Sequence, residues 1–154
     1  MTSHLESLLG VLVRNEVAFV VVGGVAVGAH GFARMTLDLD LVPDPDRGNV
    51  ERLVVALSQM GATIPSGARF DPARHAAPLR RGQNATLSTD HGGLDIVQRL
   101  EGVPPYEQLR EQALSTQVGE AAVLICSLGH LRTMKTVAGR PQDLADLARL
   151  PEAD

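Results

Sequence analysis

Residues 19–42 read FVVVGGVAVGAHGFARMTLDLDLV, and this stretch carries two signals in a fixed order. An apolar, β-branched run, Phe19 to Val22, ends in the glycine pair Gly23-Gly24. Asp38 and Asp40 follow further along, one residue apart, inside a second apolar run. Side chains alternate across a strand, so residues two apart share a face. The second run, taken as a strand, places Arg34, Thr36, Asp38 and Asp40 on one face and Met35, Leu37, Leu39 and Leu41 on the other. The leucine face packs. The other face gathers two negative charges that repel unless a cation or ligand lies between them. Paired carboxylates offering only oxygen are what a magnesium ion on a nucleoside triphosphate needs. The alternative is a solvated face at a sheet edge, but two acids flanking one leucine go against strand propensity.

Working outward, Leu5, Leu8, Leu9, Leu12 and Val13 recur at helical spacing, which predicts an amphipathic helix over about residues 4 to 15. Phe19 to Val22 is a buried strand, and Gly24 to His30 a helix that follows directly on it. Leu37 to Val42 is the second strand, stopped by Pro43 and Pro45. Spacing alone leaves open whether it follows a parallel crossover or a short reversal. Val50 to Met60 is a second amphipathic helix. The segment from Gly61 to Gly82, with Pro65, Pro72 and Pro78, reads as a short strand followed by a long loop. Ala85 to Thr89 and Leu94 to Gln98 flank the turn Asp90-His91-Gly92-Gly93 as a hairpin. Pro104 to Ala113 is a short helix, and Leu114 to Val118 and Ala121 to Cys126 form a further strand pair. Ser127 N-caps a helix from Leu128 to Ala138, which Gly139 ends; Pro141 opens the last helix, Gln142 to Leu150. The order of elements implies one α/β (α+β) domain spanning residues 1–154, with a mixed β-sheet flanked by helices.

Composition narrows the choice of function. Hydrophobic residues make up 44%, enough for a core, but with no Trp, one Tyr and three Phe that core is aliphatic. Aromatic platforms for single-stranded nucleic acid are therefore not expected. A net charge of -4 argues against a broad nucleic-acid footprint, though not against a local basic cleft. Cys126 is the only cysteine, which excludes an internal disulfide and a thiolate metal cluster. The five histidines, at 4, 30, 75, 91 and 130, lack zinc-ligand spacing. No apolar run approaches the ~18 residues of a membrane span, and no basic segment leads into an apolar one at the start of the chain. The expectation is a soluble, cytoplasmic protein with no membrane partner.

Three further places carry chemistry. Asp95 is a lone carboxylate in the apolar run Leu94-Asp95-Ile96-Val97; on its own it could cap its hairpin turn, but beside Asp38 and Asp40 it completes a set of three acids suited to two metal ions. Gly23-Gly24 would let backbone approach a phosphate at the start of a helix. The G-x-G-x-x-G and Walker A patterns are both absent. Arg34 and Thr36 share the acids' face and could touch phosphate or orient a carboxylate. Lys135 is a mobile point charge for a triphosphate. Asp143 and Asp146, three apart, lie on one helix face and read as solvated acids of a first turn.

Gly23-Gly24, Arg34-x-Thr36-x-Asp38-x-Asp40 and the later Asp95 together resemble the nucleotidyltransferase (polymerase β-like) superfamily. The tail, Met134-Lys135-Thr136-Val137-Ala138-Gly139-Arg140-Pro141-Gln142-Asp143-Leu144-Ala145-Asp146-Leu147, resembles the closing segment of small prokaryotic members related to AbiEii-type toxins. The resemblance runs from about Val17 to Leu150. It implies the nucleotidyltransferase fold and Mg2+ (or Mn2+)-dependent transfer of a nucleoside monophosphate from an NTP to an RNA, tRNA, protein or small-molecule acceptor. It implies that Asp38, Asp40 and Asp95 are the catalytic and metal-holding acids, with Asp95 also activating the acceptor hydroxyl. Gly23, Gly24, Arg34, Thr36 and Lys135 would be the nucleotide-binding residues. A toxin role would bring an antitoxin partner, and the short chain invites a partner or a second copy to supply acceptor surface. Gly24 stands where many active members carry Ser, so a hydroxyl contact to phosphate is lost. The competing reading is a nucleotide- or partner-binding module on the same fold with little or no catalysis.

Overall fold

The computed structural model describes residues 3–31 and 38–152. Six strands form one mixed sheet in the order β3-β4-β2-β1-β6-β5. They are β1 (Phe19–Val22), β2 (Asp38–Pro43), β3 (Ala85–Thr89), β4 (Gly92–Ile96), β5 (Leu114–Val118) and β6 (Ala121–Ile125). Among the described residues seven helices accompany them: α1 (His4–Arg14), α2 (Gly23–Ala29), α3 (Arg47–Gln59), α4 (Pro72–Arg80), α5 (Tyr106–Gln112), α6 (Leu128–Ala138) and α7 (Pro141–Arg149). None is long and apolar enough to cross a membrane.

The centre of the sheet follows from hydropathy. All four residues of β1 are buried, as expected of a strand covered on both faces. β1 runs antiparallel to β2 and parallel to β6, so the chain reverses between the first two strands rather than crossing over. β2 alternates at its start: Asp38 exposed, Leu39 buried, Asp40 half-buried, Leu41 buried. β2 and β4 run parallel, and hairpins add β3 and β5 at the two edges. The core is aliphatic, as composition requires. Leu8, Leu9 and Leu12 of α1, Leu53 and Leu57 of α3, and Leu39, Leu41, Leu94 and Ile96 of the sheet are all at most 1% exposed.

Helix ends carry the expected signals. Ser3 Oγ accepts from Glu6 N at 3.1 Å to start α1, and Ser127 Oγ accepts from His130 N at 3.1 Å to start α6. Gly139, at φ +60°, closes α6 in the left-handed conformation. The β4 turn is tighter than its glycines suggest. The strand begins at Gly92, leaving Asp90-His91 as a two-residue loop.

The reading of residues 61–82 as strand and long loop needs correction. The strand is a single bridging residue, Thr63, paired with Arg69 and Ser88. The loop contains α4. Pro72 occupies its first turn, where a missing N–H costs nothing, and the Asp71 carboxylate accepts from Ala73 N at 3.1 Å. Pro78 sits in the last turn, and Ala76 and Leu79 face the core. Arg80 grips Glu51 of α3 through two bonds of 2.6 and 3.1 Å, tying α4 to its neighbour.

Asn49 locks the start of α3 to the end of β1's approach. Its side chain is 1% exposed, accepts from Ala18 N at 2.7 Å, and donates to Ala18 O and Asp44 O at 2.9 Å each. Removing it strands buried backbone groups. Asn49→Ala should therefore cost about 2–3 kcal/mol in denaturant unfolding; a loss under ~0.5 kcal/mol would deny it this role.

Cys126 ends β6 fully buried, its N–H donating to Val21 O at 3.0 Å. Burial pushes its thiol up to about 12. It is therefore a packing residue and no nucleophile.

Candidate active site

Register brings the acids together. In the parallel β2–β4 pair Asp40 lies opposite Asp95, Asp38 opposite Gly93, and Leu39 opposite Leu94. Thr86 pairs with Asp95 across the hairpin, and Val22 with Asp40. A row Thr86, Asp95, Asp40, Val22 thus crosses four strands, with two carboxylates at its middle.

Glycines make room for these side chains. A Cβ on Gly23 would collide with the Asp40 carboxylate, and one on Gly93 with the Asp38 carboxylate. Gly23 also sits at φ +69°, where an L side chain is strained. Gly23→Ala should therefore lower stability by about 1–3 kcal/mol and displace Asp40. Urea unfolding with and without Mn2+ checks this; a stable variant with unchanged Mn2+ affinity would count against the close approach.

Asp40 and Asp95 are hydrogen-bonded to each other. Burial first, then that bond, then the charges of Asp95 and Asp38 raise the Asp40 carboxyl from 3.8 to about 7, and Lys135 opposes the rise. Among the described residues no three His, Cys, Asp or Glu side chains close around one point. Asp38 is exposed, with its carboxylate over Gly93. The donor set still fits a hard divalent cation: it is all carboxylate oxygen, and its mutual repulsion is what a cation relieves. Asp40 and Asp95 open onto a cavity of about 520 Å³ that is also lined by Leu131, Met134, Val137 and Ala138 of α6.

Lys135 lines the same cavity but is not a mobile surface charge. It is 7% exposed, and its Nζ lies 3.1 Å from Asp143 Oδ1 and 3.0 Å from Asp146 Oδ2. Asp143 and Asp146 are 1% and 0% exposed, so the reading of them as solvated acids is also corrected. They face α6 rather than water. Arg140 completes the cluster, donating from Nε to Asp143 Oδ2 at 2.8 Å. Burial pushes the Asp143 carboxyl up, but bonds from Arg140 and Lys135 outweigh it and hold it below the usual range.

Of the sequence candidates, the structure gathers Asp38, Asp40, Asp95, Gly23 and Lys135 at one place. Gly24 is buried in the first turn of α2. Arg34 and Thr36 lie outside the described residues. Sequence reading missed Gly93 and Arg140. The first had a signal, since a glycine two residues before Asp95 must flank the same face of a parallel partner. The second had none beyond its place between Gly139 and Pro141.

No family model and no curated protein matches the chain. Solved structures do. A nucleotidyltransferase candidate from Thermotoga maritima aligns over 94% of this chain and 88% of its own, at 15% identity and TM-score 0.58. An antigenic nucleotidyltransferase-like protein from Paracoccidioides brasiliensis aligns over 92% and 71%, at 14% identity and TM-score 0.58. The chain has the nucleotidyltransferase fold. The antibiotic-resistance factor ANT(2'')-Ia, in complex with adenylyl-2''-tobramycin, shares it at 11% identity and TM-score 0.50 over 94% of this chain and 93% of its own. Within the nucleotidyltransferase fold, the mixed sheet brings β2 and β4 side by side and so places the acids in one row.

Proposed function

We propose that this protein is a Mg2+- or Mn2+-dependent nucleotidyltransferase that moves a nucleoside monophosphate from an NTP to an acceptor. The observation that carries the reading is the in-register pair Asp40–Asp95 facing a cavity of about 520 Å³, with Asp38 two residues before Asp40 on the same strand. A structural role does not account for three carboxylates on one face, where burial first and then the neighbouring acids raise Asp40 to about 7. A divalent cation held by Asp38, Asp40 and Asp95 would neutralise charge on the triphosphate. Asp95 would take the proton of the acceptor hydroxyl as the acceptor oxygen bonds to the α-phosphorus and pyrophosphate leaves. The backbone at Gly23-Gly24 offers close approach to the phosphates, and Arg34 and Thr36 remain proposed nucleotide contacts. The rest of the rate comes from positioning in a partly enclosed site.

The acceptor belongs among RNA, tRNA, proteins and small molecules. ANT(2'')-Ia binds an adenylylated small molecule, and a cavity of this size suits a small acceptor or the end of a larger one. The resemblance of the tail to AbiEii-type toxins supports a toxin role, with an antitoxin as partner. A second reading, a nucleotide-binding module with little catalysis, is favoured by Gly24, which has no hydroxyl to offer phosphate.

Label transfer tests both. The protein is incubated with Mg2+ and each α-labelled NTP, with total RNA, lysate protein and small hydroxyl compounds as acceptors. Label on one acceptor class supports the enzyme. Triphosphate binding without label on any of them supports the binding module. Because Asp40 holds a proton to about pH 7 in the free protein, cation binding releases it. Mn2+ affinity measured by calorimetry should rise as pH climbs toward about 7 and then level off; a flat profile would contradict the raised Asp40 carboxyl.

A further inference from the structure

The cavity beside the acids is lined by four carboxylates, Asp40, Asp95, Glu101 and Asp143, and two cations, Lys135 and Arg140. A triphosphate arriving there needs a cationic side chain it can reach. We propose that Arg140, rather than Lys135, makes that contact. The proposal rests on the nucleotidyl-transfer reading and assigns one binding residue within it.

Lys135 is committed. Its ammonium lies between Asp143 and Asp146, and its side chain is 9% exposed against 2% and 1% for the two acids. Drawing it toward a phosphate would leave buried carboxylates uncompensated, a large cost in a desolvated setting. Arg140 is placed differently. Its side chain is 75% exposed, and it lines the same cavity. Asp143 engages its Nε at 2.8 Å and its Nη2 at 3.5 Å, while Nη1 makes no hydrogen bond among the described residues. A guanidinium anchored along one edge keeps donors for a second anion on the other, in the planar geometry that suits phosphate oxygens.

Two further features support the assignment. Lys135, Arg140, Asp143 and Asp146 together are charge-balanced, so an incoming phosphate can share Arg140 without breaking the Lys135 pairs. Arg140 is also held by its backbone. It sits in an extended conformation, φ -71° and ψ 159°, between the left-handed Gly139 and Pro141 at the start of α7, and its N–H donates to Asp143 Oδ2 at 3.2 Å. Little ordering entropy remains to be lost when it meets a ligand.

The test is calorimetric titration of the full chain with inorganic tripolyphosphate in Mg2+, and with Mg2+ alone. Arg140→Gln should weaken tripolyphosphate binding about tenfold or more and flatten its salt dependence, and leave the affinity for Mg2+ alone unchanged. Arg140→Lys keeps the charge and should recover part of the loss. Should Arg140→Gln lower the melting temperature, Arg140→Lys decides alone: weaker binding than wild type supports the proposal, and equal binding overturns it. Wild-type binding that Arg140→Gln leaves unchanged overturns the assignment and spares the enzyme reading. Wild-type protein that binds no tripolyphosphate overturns both.

Discussion

Lys135→Met should lower the free energy of unfolding by about 3–5 kcal/mol. The substitution preserves the length of the side chain and its apolar stem. It removes the one charge that sits 3.1 Å from Asp143 and 3.0 Å from Asp146, both almost wholly buried. Arg140 and Gln142 reach one acid each but neither spans the pair, since Gln142 Nε2 donates to Asp146 Oδ1 at 3.0 Å and Arg140 serves Asp143. The buried pair is then left with one negative charge more than its neighbours offset. Adding Asp146→Asn to Lys135→Met should therefore restore part of the lost stability, a non-additivity that a double-mutant cycle in urea reads directly. A drop below ~1 kcal/mol for Lys135→Met would show that α6 and α7 are joined by packing rather than by this charge. The loss should also reach the acids. Lys135 is the group opposing the rise of Asp40, so the Asp40 carboxyl should move further up in the variant.

Asp40→Asn should reduce nucleotidyl transfer by about 10³-fold or more, because it removes one metal-holding carboxylate and half of the Asp40–Asp95 pair. Its effect on the fold should run the other way. Asp40 is raised to about 7 in the folded protein from 3.8 for a free aspartate, so the native state binds more protons than the unfolded chain between those values. Stability of the cation-free wild type must then fall as pH rises from about 4 to about 7, with the full cost present above that. Asn carries no charge at any of these pH values. The variant should show a flatter pH profile and, at pH 8, equal or higher stability. Thermal melts at pH 5 and pH 8 check this, alongside label transfer. Unfolding of Asp40→Asn at pH 8 would mean that the carboxylate is structural.

Much of this was legible in the sequence. Asp38, Asp40 and Asp95 broke the apolar pattern of their strands, and the sheet placed them side by side because the same pattern buried Leu39, Leu41, Leu94 and Ile96 on the opposite face. Ser127 and Gly139 marked the ends of α6 by their capping chemistry. Other features depended on contacts distant in the chain. Pro72 and Pro78 suggested a loop, yet one fell at a helix start and the other in a last turn, and the burial of Ala76 and Leu79 against the core made α4. The direction of β2 was undecidable from spacing, since α2 is short enough for either connection. Asp143 and Asp146 looked solvated because helical spacing gives a face but not what covers it. Their partner was a lysine on the preceding helix, brought across by the tight Gly139–Pro141 junction.

The chain has a single thiol, Cys126, buried just after β6 and held protonated by that burial. Modification by a thiol reagent must therefore wait for the strand end to open. Its rate is a built-in clock for the opening of β6, the strand that leads into α6 and its Lys135. If the cavity closes around a bound nucleotide by bracing α6, that clock should slow on addition of NTP and Mg2+. The proposed catalytic acids would then be read through a sulfur that never touches them.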